Sequence, residues 1–144
     1  MTTTDAVDTP PGLTPEVREF LAANRFAIVA TVGPDGAPQQ AVVWYRLDGD
    51  EIIVNSAEGR RWPANLRRDP RISVIVPDGY RYVELGGSVA IIDDQAVTQA
   101  DIAEMARRYH ADEPEEAEAL IRDRFTRQHR ISFRFRPNRI WVDL

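Results

Sequence analysis

The sequence predicts a mainly β, α+β domain in which six or seven short antiparallel strands close into a barrel, with a short helix after the third strand and a helical pair before the last strands. Three observations carry this prediction. Apolar, β-branched runs are separated by tight-turn signals at Gly33-Pro34-Asp35-Gly36, Asp48-Gly49-Asp50 and Pro77-Asp78-Gly79, the spacing of a β-meander. Ile131, Phe133 and Phe135 alternate with Ser132, Arg134 and Arg136, a period of two that belongs to a half-buried strand. So many short strands in one small domain leave exposed edges, and closure into a barrel removes them.

Residues 1–12 are rich in Thr, Asp and Pro and are expected to form a disordered tail; residues 13–144 form the domain. Thr14-Pro15-Glu16 reads as an N-cap, a proline at the first helical position and a first-turn acid. Val17, Phe20 and Leu21 follow at helical spacing, so a helix is expected over about 14–23. Strands are then expected at Phe26–Val32, Gln40–Leu47 and Glu51–Asn55. Pro63 near a start and Asp69-Pro70 at an end bound a helix within Gly59–Arg68. Arg71–Val76 and Arg81–Ile92 read as the next strands, and Gly86-Gly87 inside the second predicts a bulge or a barrel corner. Thr98-Gln99-Ala100-Asp101 resembles a capping box, with Ile102, Met105, Ala106 and Tyr109 as the apolar stripe behind it. A second helix begins at Glu113-Pro114, and strands at Ile131–Phe135 and Arg139–Val142 complete the chain.

Composition excludes several function classes. There is no cysteine, so disulfides, zinc–thiolate sites and iron–sulfur clusters have no ligands. Two histidines, His110 and His129, are too few for a convincing metal site, and none is expected. The net charge of −5 argues against nucleic acid as the main partner. No apolar run approaches the roughly 20 residues of a membrane span, and no signal-peptide pattern is visible. A cytoplasmic protein is expected. Every basic residue is Arg, so an anion site would be built from guanidinium forks, backbone N–H groups or a helix end.

One segment combines these elements. Asn55 to Arg71 runs from a strand end through a glycine and two arginines into a helix N-terminus. Unpaired N–H groups at a helix start attract anions. Arg60 and Arg61 offer charge-assisted bonds, Asn55 and Ser56 add neutral donors, and Gly59 lets the backbone come close. A solvated basic turn is the competing reading. Arg67 and Arg68, in the last turn, suit the helix C-terminus.

The order of strand, Gly-Pro-Asp-Gly turn, two strands, Gly59-Arg60-Arg61 helix and Asp69-Pro70-Arg71 strand resembles the pyridoxamine 5′-phosphate oxidase-like split β-barrel superfamily. Asn65-Leu66-Arg67-Arg68-Asp69-Pro70-Arg71, with Tyr80-Arg81-Tyr82-Val83-Glu84 and Ala106-Arg107-Arg108-Tyr109 downstream, looks most like its deazaflavin branch, which uses coenzyme F420. The resemblance implies a homodimer with two cofactor sites at the subunit interface and a small-molecule substrate. It places the cofactor against Gln40, Ala41, Val42, Val43 and Trp44. It places the phosphate at Asn55, Ser56, Gly59, Arg60 and Arg61, with Trp62 and Asn65 adjoining. The family's pattern carries Lys after the second arginine; here that position is Trp62. The implied activity is F420-dependent hydride transfer with an unsaturated organic molecule. FMN is the alternative cofactor, and a non-catalytic barrel that binds a flavin, a deazaflavin or haem is the alternative function.

No nucleophile–base pairing is evident, so no catalytic side chain is assigned; a cofactor enzyme needs none, because the cofactor carries the chemistry. Trp44 and Tyr45 must face opposite sides of their strand, one in the core and one at a site or interface. His110 and His129 read as surface residues, and Asp93-Asp94 as a turn.

Overall fold

The computed structural model describes residues 2–4 and 12–144. The strands are β1 (Thr2–Thr4), β2 (Ala27–Val32), β3 (Pro38–Val43), β4 (Tyr45–Asp48), β5 (Glu51–Ala57), β6 (Arg71–Asp78), β7 (Arg81–Ser88), β8 (Ala90–Ile92), β9 (Arg130–Phe135) and β10 (Arg139–Asp143). The helices are α1 (Pro15–Ala22), α2 (Arg61–Arg68), α3 (Gln95–Tyr109) and α4 (Pro114–Asp123), followed by one 3-10 turn at Phe125–Arg127. Two antiparallel sheets result, in the orders β1-β10-β7-β6-β2-β3 and β4-β5-β9-β8. This is the split barrel.

Two of the predicted strands each serve both sheets. The run Gln40–Leu47 breaks at Trp44, with β3 in the first sheet and β4 in the second. Likewise Arg81–Ile92 breaks at Val89 into β7 and β8. The predicted bulge at Gly86-Gly87 is not where the chain turns. Register is regular there, with Ser73 opposite Gly86 and Ile72 opposite Gly87. Gly87 is required by close approach instead: a Cβ at that position would lie 2.8 Å from Cδ2 of Phe135.

The helix ends follow local chemistry. Thr14 Oγ1 accepts from the Val17 N–H at 3.2 Å and starts α1. Helix α3 begins earlier than the Thr98 motif predicts. Asp94 Oδ1 accepts from the Ala96 N–H at 2.9 Å and caps the helix, so Thr98 and Asp101 are interior helix positions, both buried. Of the tail predicted over 1–12, residues 1 and 5–11 lie outside the described residues; Thr2–Thr4 pair with Val142, Trp141 and Ile140, a strand the sequence reading did not include.

The main core lies between the sheets and contains Tyr45, Ile52, Val54, Ile131, Phe133 and Phe135. Strand β5 is buried on both faces. Side chains alternate along a strand, so Ile52 and Val54 enter this core while Ile53 joins Ile102, Met105, Ala106 and Phe125 in a second, smaller one. The α3–α4 pair therefore covers the outer face of the second sheet. Asn55, in phase with Ile53, faces that helical layer. Among the described residues no helix is long and apolar enough to cross a membrane.

Candidate functional site

A cleft of about 400 Å³ opens between the sheet corner, the start of α2 and the helical pair. Ligand pockets are commonly of this size, apolar with a few placed polar groups. Its walls come from five parts of the chain. Phe26 precedes β2; Val42, Val43 and Trp44 lie at the β3–β4 corner; Asn55, Arg60 and Trp62 follow β5 into α2. Ile102, His110, Leu120, Arg124 and Phe125 come from the helical layer, and Arg130 opens β9.

One wall is aromatic. Trp44 stacks on Tyr109 with centroids 5.1 Å apart and planes 6° from parallel. Phe26 stacks on the same tyrosine at 5.7 Å, and the edges of His110 and Phe125 meet Trp44. Tyr109 is pinned by its hydroxyl, which donates to Arg25 O at 2.6 Å and accepts from the Tyr45 N–H at 3.2 Å. Tyr45, next along the chain from Trp44, is fully buried and donates to Leu21 O at 2.7 Å. The alternation expected of this pair thus resolves with Tyr45 in the core and Trp44 at the cleft.

The other wall is cationic. Arg60, Arg124 and Arg130 reach the cleft, and none of the lining residues is acidic. Arg130 is 3% exposed. Its Nε donates to Asn55 Oδ1 at 2.9 Å and its Nη1 to Gln128 Oε1 at 2.6 Å; Nη2 has no hydrogen-bond partner among the described residues. The guanidinium lies over the Phe125 ring at 4.9 Å. Burial, with the charges of Arg60 and Arg124 beside it, pushes the Arg130 pKa down to about 10. A buried cation ordinarily has a carboxylate partner; among the described residues this one has two neutral side chains and two more cations. The charge this arrangement lacks is one that an anion would supply.

The segment singled out in the sequence divides at this cleft. Val42, Val43, Trp44, Asn55, Arg60 and Trp62 line it. Gln40 and Ala41 lie further back along β3, Gln40 exposed and Ala41 half-buried. Ser56 is buried and its Oγ has no hydrogen-bond partner among the described residues. Gly59 adopts φ +94° in the turn before α2, a conformation that favours glycine. Arg61 is exposed at the first position of α2. Asn65 is buried, donating to Thr31 Oγ1 at 3.1 Å and to Gln39 Oε1 at 2.5 Å; it fastens α2 to the first sheet. Trp62 packs on Phe133, so its bulk belongs to the barrel as well as to the cleft.

Sequence reasoning missed the helical wall. Phe26, His110, Arg124, Phe125 and Arg130 carry no motif that marks a site, Ile102 and Leu120 read only as apolar helix positions, and His110 reads as a surface residue. The one available signal was Arg130 itself, an in-phase arginine at the head of a strand whose neighbours in phase, Ser132 and Arg134, are also polar. At the cleft rim His110, Glu113 and Glu116 bring ligating atoms within 4.8 Å of one another. This is one half-buried imidazole with two exposed carboxylates, an ordinary grouping at the start of a helix.

A split β-barrel with an aromatic wall and an unbalanced cationic wall at its corner defines the class. The chain belongs to the pyridoxamine 5′-phosphate oxidase family, whose model matches residues 13–141. Among solved structures it is similar to the conserved hypothetical protein Rv2991 from Mycobacterium tuberculosis, with a TM-score of 0.76 and 25% identity over 96% of this chain and 90% of that one. It shares its fold with an F420 reductase, with a TM-score of 0.69 and 24% identity over 89% of this chain and 98% of that one. It also shares it with the haem storage protein HutZ from Vibrio cholerae, with a TM-score of 0.67 and 20% identity over 92% and 95% of the two chains.

Proposed function

We propose that this chain is a cytoplasmic, homodimeric oxidoreductase that uses a phosphate-bearing deazaflavin, coenzyme F420, to exchange hydride with an unsaturated organic molecule, with FMN as the alternative cofactor. The observation that carries the proposal is the buried Arg130, which has no carboxylate partner among the described residues, beside Arg60 and Arg124. Such a cluster favours an anionic ligand, and the stacked Trp44 and Phe26 beside it favour a ligand with a planar ring. The residues present therefore fit a cofactor of phosphate and fused ring.

In this reading Arg60 and the uncapped first turn of α2 hold the phosphate; Arg60 is the N-cap and its side chain makes no capping bond. Val42 and Val43 back the ring, and Trp44 with Phe26 excludes water from one side of it. When bound, the reduced cofactor supplies the hydride. Arg130 and Arg124 hold negative charge close to the cleft. Val42, 71% exposed, and Phe26, 59% exposed, flank the opening. Apolar surface left open at a ligand site favours a second copy of the chain as its cover.

The test is a fluorescence titration of the purified protein with F420 and with FMN, paired with light scattering for subunit number. Expected are a dimer, tighter binding of F420 than of FMN, and oxidation of reduced F420 by a cyclic enone. Tighter FMN binding selects the alternative cofactor. Binding without turnover supports the non-catalytic barrel, and haem binding in place of either cofactor overturns the proposal. So does a monomer that binds neither.

A further inference from the structure

We infer that Asn55 is a positioning residue rather than a ligand donor: it aims Arg130 at the anion in the cleft, and it is itself held by a buried relay that ends on Asp101. This rests on the proposed reading of the cleft as an anion site.

The relay is read from donors and acceptors. Arg46 Nη2 donates to Asp101 Oδ1 at 2.7 Å. Ser132 Oγ donates to Asp101 Oδ2 at 2.7 Å. With its proton directed at the carboxylate, the Ser132 hydroxyl presents a lone pair to Asn55 Nδ2 at 2.8 Å. The same Nδ2 donates to Thr98 O at 3.0 Å. Both amide protons of Asn55 are therefore used inside the protein, and its Oδ1 is left facing Arg130 Nε. An amide has two donors and a carbonyl acceptor, so Asn55 has no proton left for a phosphate. What the relay delivers to the cleft is the Nη2 edge of Arg130. Asn55, Asp101, Arg130 and Ser132 are all less than a tenth exposed, and the pairing of both Asn55 amide protons, of its Oδ1 and of the Ser132 hydroxyl fixes one orientation for those two side chains.

The direction of the relay depends on Asp101 being an acceptor on both oxygens. In Asp101→Asn one acceptor oxygen becomes an NH2: turned toward Arg46, a donor only, it loses that bond, and turned toward Ser132 it donates to the hydroxyl, whose proton is then no longer held away from Asn55 Nδ2.

The experiment is a double-mutant cycle on FMN and F420 affinity, read by fluorescence, with thermal melts reporting folding. Arg130→Ala is expected to weaken binding on the order of tenfold or more, the scale of one charged hydrogen bond. Asn55→Ala and Asp101→Asn are expected to weaken it less. Either change placed in the Arg130→Ala background is expected to have no further effect, since positioning a missing side chain contributes nothing. Additive losses overturn the inference, because they make Asn55 a direct ligand donor. Unchanged affinity in Arg130→Ala together with loss in Arg60→Ala also overturns it, while leaving the proposed function intact. If the wild type binds neither cofactor, the proposed function falls. The NMR signal of Arg130 Nε–H under inorganic phosphate then decides the inference alone: a shift in the wild type that disappears in Asn55→Ala supports it, and no shift in the wild type overturns it.

Discussion

The Trp62 ring packs on Phe133 with centroids 5.5 Å apart and planes tilted by 53°. Trp62 is 7% exposed and Phe133 fully buried, so the residue that stands where the resemblance leads one to expect Lys is part of the main core. The positive charge absent at 62 has a counterpart at 130, inside the cleft. Arg130 comes from a distant strand, β9, whereas residue 62 lies in the first turn of α2.

Trp62→Ala is expected to cost about 3–5 kcal/mol of stability, the range for truncating a buried large aromatic. Trp62→Lys is expected to cost a comparable amount, because it removes the indole from Phe133 and puts an ammonium against buried apolar side chains. Urea unfolding of both variants measures this; a stable Trp62→Lys would remove Trp62 from the core.

Tyr45 couples α1 to the second sheet, and burial pushes its pKa up to about 12. The folded state prefers the neutral phenol, so this contribution is complete below pH 10, the ordinary tyrosine value, and is lost as pH rises toward 12. Unfolding free energy is expected to fall over that interval, and less steeply in Tyr45→Phe. The variant is also expected to lose about 0.5–1.5 kcal/mol at neutral pH with its bond to Leu21 O. Urea titrations at a series of alkaline pH values read both quantities.

Gly87→Ala is expected to destabilise by about 1–3 kcal/mol, the usual cost of overpacking. The added methyl meets the ring of Phe135, which is 2% exposed and has no room to swing. Gly86→Ala meets the side chain of Arg139, most closely its guanidinium end at 3.3 Å, and is expected to cost less. Equal midpoints in a denaturant series would contradict the close-approach account.

Arg124 adds repulsion to Arg130 from an exposed position. Arg124→Ala is expected to melt at a slightly higher temperature in chloride, by an amount worth no more than about 0.5 kcal/mol. Inorganic phosphate is expected to raise the melting temperature of the wild type at matched ionic strength, because it binds the folded state alone, and to raise that of Arg124→Ala less. Differential scanning fluorimetry makes the comparison.

Most of the strands and the helix termini at Thr14, Asp69 and Pro114 are legible in the sequence because they depend on neighbours. Alternation, turn glycines and capping side chains act within a few residues. The errors arose where a distant group decides. Asp93-Asp94 reads as a turn, whereas Asp94 caps α3 by accepting from the Ala96 N–H. Gly86-Gly87 reads as a corner, and Phe135 makes it a close approach. Trp44 and Tyr45 show the same division: alternation separates them, and the sheet corner decides which one is at the cleft.

The sequence by itself determined the order of elements, the class of fold and one stretch, Asn55 to Arg61, of which Asn55 and Arg60 line the cleft. Only the tertiary structure decided that Asn55 serves Arg130 and that Arg124 and Arg130 join Arg60 with no carboxylate among them. The reason is physical. Backbone conformation is set largely by local sterics and hydrogen bonding, while the balance of charge around a buried guanidinium is set by whatever folding brings within a few ångströms of it.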